Sequence, residues 1–238
     1  MTDKRVLVMV PTYNESENIA RLINQIFALE VSNLEIVVVD DDSPDGTADI
    51  VQKLGAALPR LQLIRRSPPA GRGFAGRDGY LYALKTGADY LIEMDGDFSH
   101  DPRHIPALLA AMAGCDIAIG SRLVPGGSDL DRPLLRRWLM LAANAYARGL
   151  LGLPVKDTNS GFRCFSRLAL EKIKPGSLRS KGPSILHEVL FRGKRAGLKF
   201  SEIPIEFVDR KKGASKLNMS RLAAGYFWIL KMRISFWS

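Results

Sequence analysis

Five short apolar runs, each giving way to a stretch with helical spacing, constrain this chain more than any other feature. Residues 5–10 (RVLVMV) and 34–39 (LEIVVV) are rich in β-branched side chains, and further runs lie at 61–65, 90–94 and 115–120. Runs such as 34–39, apolar at nearly every position, suit strands buried on both faces. After a capping-box-like Asn14 and Glu17, Ile19, Leu22, Ile23, Ile26 and Phe27 recur at helical spacing. The turn residues Ser43-Pro44-Asp45-Gly46 predict a helix reaching about Leu58, and Asp101-Pro102 opens another. Strands alternating with helices predict an α/β fold with a mostly parallel central sheet covered on both faces. The later part predicts a helix over 133–152, a strand near 162–166, a helix over 184–196, a strand over 199–208 and a last helix over 219–236. With 238 residues, 46% of them hydrophobic, and no linker, the chain reads as one domain over 1–238.

Cys115 and Cys164 are too few for a disulfide framework and point to a reduced, cytoplasmic setting. The N-terminal apolar run, Val6 to Val10, is shorter than a signal peptide needs, and Leu222 to Leu230 is too short to span a bilayer.

The net charge of +9 hides a split. Residues 1–120 hold 11 Lys and Arg against 17 Asp and Glu; residues 121–238 hold 23 against 8. An acidic half joined to a basic half suits a site in which carboxylates hold a cation and arginines hold phosphates or face an anionic membrane. Nucleic acid is the other partner a basic half suggests, but no RNA- or DNA-reading motif occurs and acidic strand ends would repel its phosphates.

In open parallel sheets ligands bind at the carboxyl edges of the strands. Here those edges carry Pro11-Thr12-Tyr13-Asn14-Glu15, Asp40-Asp41-Asp42, Asp95-Gly96-Asp97 and Gly120-Ser121-Arg122. Two unit charges about 4 Å apart repel by roughly 4 kcal/mol at an effective dielectric of 20. Asp95 and Asp97 therefore need a cation or a shared proton, and Mg²⁺ or Mn²⁺ suits their oxygens. Of the three acids at 40–42, one is placed to accept bonds from a ribose or base, while Asp42 and Asp45 suit capping the next helix. Gly71-Arg72-Gly73-Phe74-Ala75-Gly76 matches a dinucleotide fingerprint literally, but follows the third strand rather than the first. It reads better as a flexible loop whose glycines admit a phosphate-bearing ligand near Arg72 and Arg77.

Together, Val8–Glu15, Val39–Thr47 and Met94–His100 closely resemble family 2 glycosyltransferases. Gly120-Ser121-Arg122, Thr158–Arg163, Phe207–Arg210 and Gly213–Leu217 narrow the resemblance to the dolichol-phosphate (polyprenol monophosphate) mannose synthases, over about residues 5 to 218. The resemblance implies a glycosyltransferase A-type fold and inverting transfer of mannose from GDP-mannose to a dolichyl or polyprenyl phosphate. By position, Pro11, Tyr13, Glu15, Val39 and Asp41 would line the guanosine pocket, and Asp95, Gly96 and Asp97 would carry metal and diphosphate. Arg122, Arg136, Arg210 and Lys216 would meet donor or acceptor phosphates, with Asp97 and Arg122 central to catalysis. Ser99 stands where many relatives have Gln as a third metal contact; water or His100 would complete the shell, and the plainer reading of His100 is a surface residue at a helix start. Many relatives also have Gly-Leu-Gly or Gly-Leu-Ser where Gly71-Arg72-Gly73 stands. Asp157 and Glu188 either orient the acceptor or, the preferred reading, pair with Arg163 or Arg192.

A polyprenyl acceptor lies in a bilayer. Residues 219–238, with Tyr226, Phe227, Trp228, Ile229, Leu230, Ile234, Phe236 and Trp237 beside Lys231 and Arg233, suit either a membrane-interface helix or a helix packed on the core. The expected placement is cytoplasmic and peripheral, at the cytoplasmic face of a membrane, alone or with a membrane-anchoring partner subunit. The runner-up activities are glycosyl transfer from a UDP-sugar to the same lipid, and a hydroxyl-directed glycosyltransferase, which would need a carboxylate base.

Overall fold

The structure, a computed structural model, describes residues 4–130, 134–208 and 219–235. Among them the strands β1 (Val6–Thr12), β2 (Leu34–Asp40), β3 (Leu61–Arg65), β4 (Tyr90–Glu93), β5 (Ile117–Ser121), β7 (Arg163–Ser166) and β8 (Phe200–Pro204) form one sheet in the order β3-β2-β1-β4-β7-β5-β8. All neighbours are parallel except β7, which runs antiparallel to both β4 and β5. Helices α1 (Ile19–Phe27), α2 (Thr47–Gly55) and α4 (Ile105–Ala111) cover one face. Helices α3 (Arg72–Thr86), α5 (Leu134–Leu151), α6 (Arg167–Ile173), α7 (Ile185–Arg195) and α8 (Met219–Ser235) belong to the other.

Strand alternation builds the two cores. Val6, Val8 and Val10 of β1 join the cluster under α1, whereas Leu7 and Met9 join the cluster under α3. In α1 the spacing of Ile19, Leu22, Ile23 and Ile26 gives one fully buried stripe, as the periodicity predicts. Its start differs from the capping-box expectation. The first turn is preceded by a left-handed Asn14, and the backbone N–H groups of Asn14, Glu15 and Ser16 donate to Ser43 Oγ, Thr47 Oγ1 and Asp45 Oδ2, each at 2.9 Å. Burial acts to raise the Asp45 pKa, but bonds from Thr47 and Ser16 outweigh it and leave the carboxyl at about 2.

The glycine-rich run is not a loop. It forms the first turns of α3, and its glycines admit backbone rather than phosphate. A Cβ on Gly73 would overlap the Ser180 carbonyl oxygen, and one on Gly71 would lie 2.7 Å from that of Lys181. Farther along, a Cβ on Gly79 would meet Met9 Cγ at 2.6 Å. Each helical glycine costs up to about 1 kcal/mol of propensity, and close packing offsets it.

The strand expected over 199–208 is broken at Pro204, which has no N–H for the ladder. Beyond it β9 (Glu206–Val208) leaves the main sheet and pairs in parallel with β6 (Ser128–Leu130). The last helix, α8, packs on α5 and α7, with Ile229 and Met232 in the core and Trp228 Nε1 donating to Ser180 Oγ at 2.9 Å. Its other side exposes Phe227, Leu230 and Ile234, and α5 exposes Leu134, Leu135, Trp138 and Leu139. No described helix is long and apolar enough to cross a membrane.

Candidate active site

The strand order turns back between β1 and β4, and in parallel sheets the crevice outside such a reversal is where ligands bind. The two strand ends touch there: a Cβ on Gly96 would lie 3.4 Å from both Glu15 Cγ and Thr12 Cγ2. The neighbouring end of β2 is braced by a fully buried Asp40, which accepts from the Thr12 hydroxyl at 2.7 Å and from Ser43 N–H and Oγ at 2.8 and 2.6 Å. Asp41 pairs with Arg66 and accepts the Gly71 N–H at 2.7 Å, and Asp42 pairs with Arg65 at 2.9 Å. Separate partners thus relieve the repulsion among three adjacent carboxylates. Asn14, Asp42 and Phe98, all at these loops, have φ between 53° and 61°. Asn and Asp adopt that region readily; a phenylalanine does not, and Arg21 lies 4.0 Å over its ring.

Asp95 and Asp97 follow β4. Ser99 N–H donates to Asp97 Oδ1 at 3.0 Å, and Asp95 N–H donates to His100 Nδ1 at 3.1 Å. His100 is not at the surface. Its ring is buried, stacked on Phe162 at 5.1 Å and edge-on to Phe207 at 5.8 Å. Burial lowers its pKa against the pull of Asp95 and Asp97. An Nδ1 that accepts a hydrogen bond fixes the neutral tautomer, with the proton on Nε2. Arg72, from the first turn of α3, brings Nη2 to 2.9 Å from Glu93 Oε1 and 3.1 Å from Asp95 Oδ1. Glu93 is fully buried and accepts the Tyr80 hydroxyl at 2.7 Å.

Two carboxylates flanking a glycine are suitable oxygen donors for a hard divalent cation. Among the described residues no group of three His, Cys, Asp or Glu side chains gathers to enclose one. An ion here would complete its shell with water and ligand phosphate, as Mg²⁺ and Mn²⁺ commonly do.

Arg122, just past β5, donates from Nε and Nη2 to Asp157 at 2.7 and 2.8 Å and from its backbone N–H at 3.1 Å. Its guanidinium lies 4.9 Å from the Phe207 ring centre. Asp157 therefore pairs with Arg122, not with Arg163 or Arg192. Its burial would raise the carboxyl pKa, but the Arg122 bonds prevail and hold it below the usual range. Arg163, fully buried, donates to the carbonyls of Leu186 and Thr158 at 2.6 and 2.9 Å. Glu188 pairs with Arg192 at 2.7 Å and accepts the N–H groups of Arg179 and Ser180, a structural role.

Asn144, on α5, ties this side together. Its Oδ1 accepts from Thr158 N–H at 2.7 Å, the Thr158 hydroxyl at 2.9 Å and Asn159 N–H at 3.2 Å. Asn144→Ala would orphan those donors at about 1–3 kcal/mol. A lowered melting temperature, with kcat falling as the 157–161 loop loosens, is the expected result of calorimetry and turnover assays. A variant as stable and as active as the parent would remove Asn144 from this role.

The family model for glycosyl transferase family 2 matches residues 7–174. The chain belongs to this family. It is similar to polyprenol monophosphomannose synthase of Mycolicibacterium smegmatis, 38% identical over 97% of this chain and 88% of that protein. It is also similar to undecaprenyl-phosphate mannosyltransferase of Micrococcus luteus, 37% identical over 90% of this chain and 88% of that protein. Among solved structures, glucosyl-3-phosphoglycerate synthase of Mycobacterium tuberculosis, crystallised with Mn²⁺, UDP and glucosyl-3-phosphoglycerate, superposes with a TM-score of 0.68. That match covers 98% of this chain and 80% of the other at 19% identity, and bears out the glycosyltransferase A-type fold.

Within this family 2 fold the residues expected at the site fall in three groups. Pro11, Tyr13, Glu15, Asp41, Asp95, Gly96, Asp97, Ser99 and Arg122 lie at or just past the carboxyl ends of β1, β2, β4 and β5. Val39 lies in the core beneath, with Leu7, Met9 and Val37. Arg210 and Lys216 fall outside the described residues, as does the side chain of Arg136 in α5. The sequence names Arg72 only as a charge near a phosphate-bearing ligand; its place beside Glu93 and Asp95, the parts of Glu93 and Asn144, and the burial of His100 come from the structure. Of these, only Glu93, a charge inside an apolar run, gave a signal in the sequence.

Proposed function

We propose that this chain transfers mannose from GDP-mannose to a dolichyl or other polyprenyl phosphate, inverting the anomeric carbon and using Mg²⁺ or Mn²⁺. The observation that carries this reading is the similarity, at 37–38% identity over at least 90% of the chain, to proteins named for mannosyl transfer and polyprenyl phosphates. The acidic strand ends and the guanidinium of Arg122 at one crevice support it.

A phosphate oxygen of the lipid attacks C1 of mannose; the bond from C1 to the diphosphate oxygen breaks, and GDP leaves with that electron pair. Because the attacking phosphate is already ionised at neutral pH, no strong general base is needed. Asp95 and Asp97 would hold the cation, with Ser99 or water completing its shell. When bound, such an ion acts as a Lewis acid on the leaving diphosphate. Pro11, Tyr13, Glu15 and Asp41 would form the guanosine side, with Val39 supporting it from the core beneath. Arg122, locked by Asp157 in one orientation, would meet a phosphate with little rotamer entropy left to lose. Arg136, Arg210 and Lys216 would share the phosphates of donor and acceptor.

The exposed apolar residues of α5 and α8, with Lys231 and Arg233 beside them, suit peripheral contact with an anionic membrane surface. Flotation with anionic vesicles should carry the chain upward. Failure to float would favour delivery of the lipid by a partner subunit.

The test of the activity is a transfer assay with a short polyprenyl phosphate and a panel of nucleotide sugars. Product from GDP-mannose alone is expected. Preference for UDP-glucose would replace this reading with glucosyl transfer to the same acceptor.

A further inference from the structure

Arg72 stands among groups that the transfer reaction leaves without a use. Its Nη2 lies 2.9 Å from Glu93 Oε1 and 3.1 Å from Asp95 Oδ1, so one guanidinium is shared by a buried carboxylate and a crevice carboxylate. Neither of its terminal nitrogens makes an aligned hydrogen bond, although both are buried. The pairing is Coulombic rather than directional, and such a contact tolerates a change of partner. The two anchors of the arrangement are fixed. Glu93 sits in β4, with no exposed surface, and its other oxygen is held by Tyr80. Arg72 opens α3, where Gly71 N–H is tied to Asp41 and Gly73 abuts residues 180 and 181. Space at the contact is guarded as well: a Cβ on Gly161 would lie 3.0 Å from Arg72 Nη2 and 3.4 Å from Asp95 Oδ2.

We propose that Arg72 is a built-in cation that competes with the divalent ion for Asp95, and that Glu93 sets the strength of that competition by holding Arg72 back. The inference rests on the reading that Asp95 and Asp97 hold a divalent ion. A positive charge this close to a carboxylate lowers its attraction for a second cation. The ion would therefore be held weakly before the donor arrives and firmly once diphosphate oxygens join its shell. Arg72 and Glu93 are positioning residues in this account, since neither needs to touch the reacting atoms.

The test measures Mn²⁺ affinity from the electron paramagnetic resonance signal of the free ion, with and without GDP, in four proteins. Glu93→Gln keeps the side-chain volume and the bond from Tyr80 but removes the charge that restrains Arg72, so Mn²⁺ should bind roughly fivefold more weakly. Arg72→Met with Glu93→Gln removes both charges of the buried pair, so Mn²⁺ should bind about tenfold more tightly than in the parent, most visibly without GDP. Opposite shifts from nested substitutions are not what a merely structural pair would give. Unchanged affinity in both folded variants, or shifts in the same direction, would overturn the proposal. Should the double variant fail to fold, Glu93→Gln alone decides: weaker binding supports the competition and unchanged or tighter binding refutes it. Asp97→Ala is the fourth protein. If it binds Mn²⁺ as the parent does, the metal reading itself fails, and the role of Arg72 with it.

Discussion

Asp97→Ala is expected to lower kcat about 10³-fold with the fold intact, the scale seen when a group that stabilises developing negative charge is removed. The barrier to transfer lies in charge building on the departing diphosphate. Asp97 is placed to hold the counter-charge there, in the loop after a strand whose residues Leu91, Ile92 and Glu93 are buried, and it accepts the Ser99 N–H. Substitution by alanine removes one oxygen donor set and leaves Asp95 alone beside Arg72. Because the residue follows the last sheet pairing of β4, the melting temperature should change little. Turnover within a few-fold of the parent at saturating Mn²⁺ would show that Asp97 has no part in holding the ion.

Asp157→Ala is expected to destabilise the protein by about 3–5 kcal/mol, because it strands the buried guanidinium of Arg122 without its counter-charge. The same substitution frees Arg122 from its fixed orientation, so activity should fall even at temperatures where the variant is folded. Differential scanning calorimetry reads the first effect and transfer assays the second. The pH dependence has a definite sign. Burial would raise the Asp157 pKa, but the bonds and charge of Arg122 hold it, in the folded state, below the usual carboxylate range. The stabilisation from this pair is therefore fully present above about pH 4, where the unfolded carboxyl is also ionised, and is lost as pH falls through the lower folded value. In the parent, acid unfolding should include that loss; in Asp157→Ala the contribution should be missing. A variant that melts with the parent would contradict the pairing.

Much of this architecture is legible in the sequence because it depends on local pattern. Apolar runs at 5–10, 34–39, 61–65, 90–94 and 115–120 become parallel strands, and the segments after β1 and β4 touch at their carboxyl ends. What the sequence hides is set by residues far apart along the chain. Asp157 is 35 positions from the arginine it holds, and His100 is buried by Phe162 and Phe207 from beyond β5. The glycines at 71, 73 and 76 suggest flexibility until the backbone at 180 and 181 is seen against the first two, turning a loop signature into a tightly packed helix start. Likewise, residues 199–208 read as one strand because β6, the short partner that draws off their second half, leaves little apolar trace. Pro204 was the readable sign of that break. Glu93 was readable too: a carboxylate within an apolar run requires a buried partner, and Arg72 and Tyr80 supply it.

The most direct test of the account is calorimetric titration of GDP-mannose into the protein with Mn²⁺ present and with it chelated. The account predicts saturable binding that weakens at least about tenfold on chelation, and equally in Asp97→Ala with Mn²⁺ present. Binding of the same strength in all three conditions would contradict a donor held through a cation on Asp95 and Asp97.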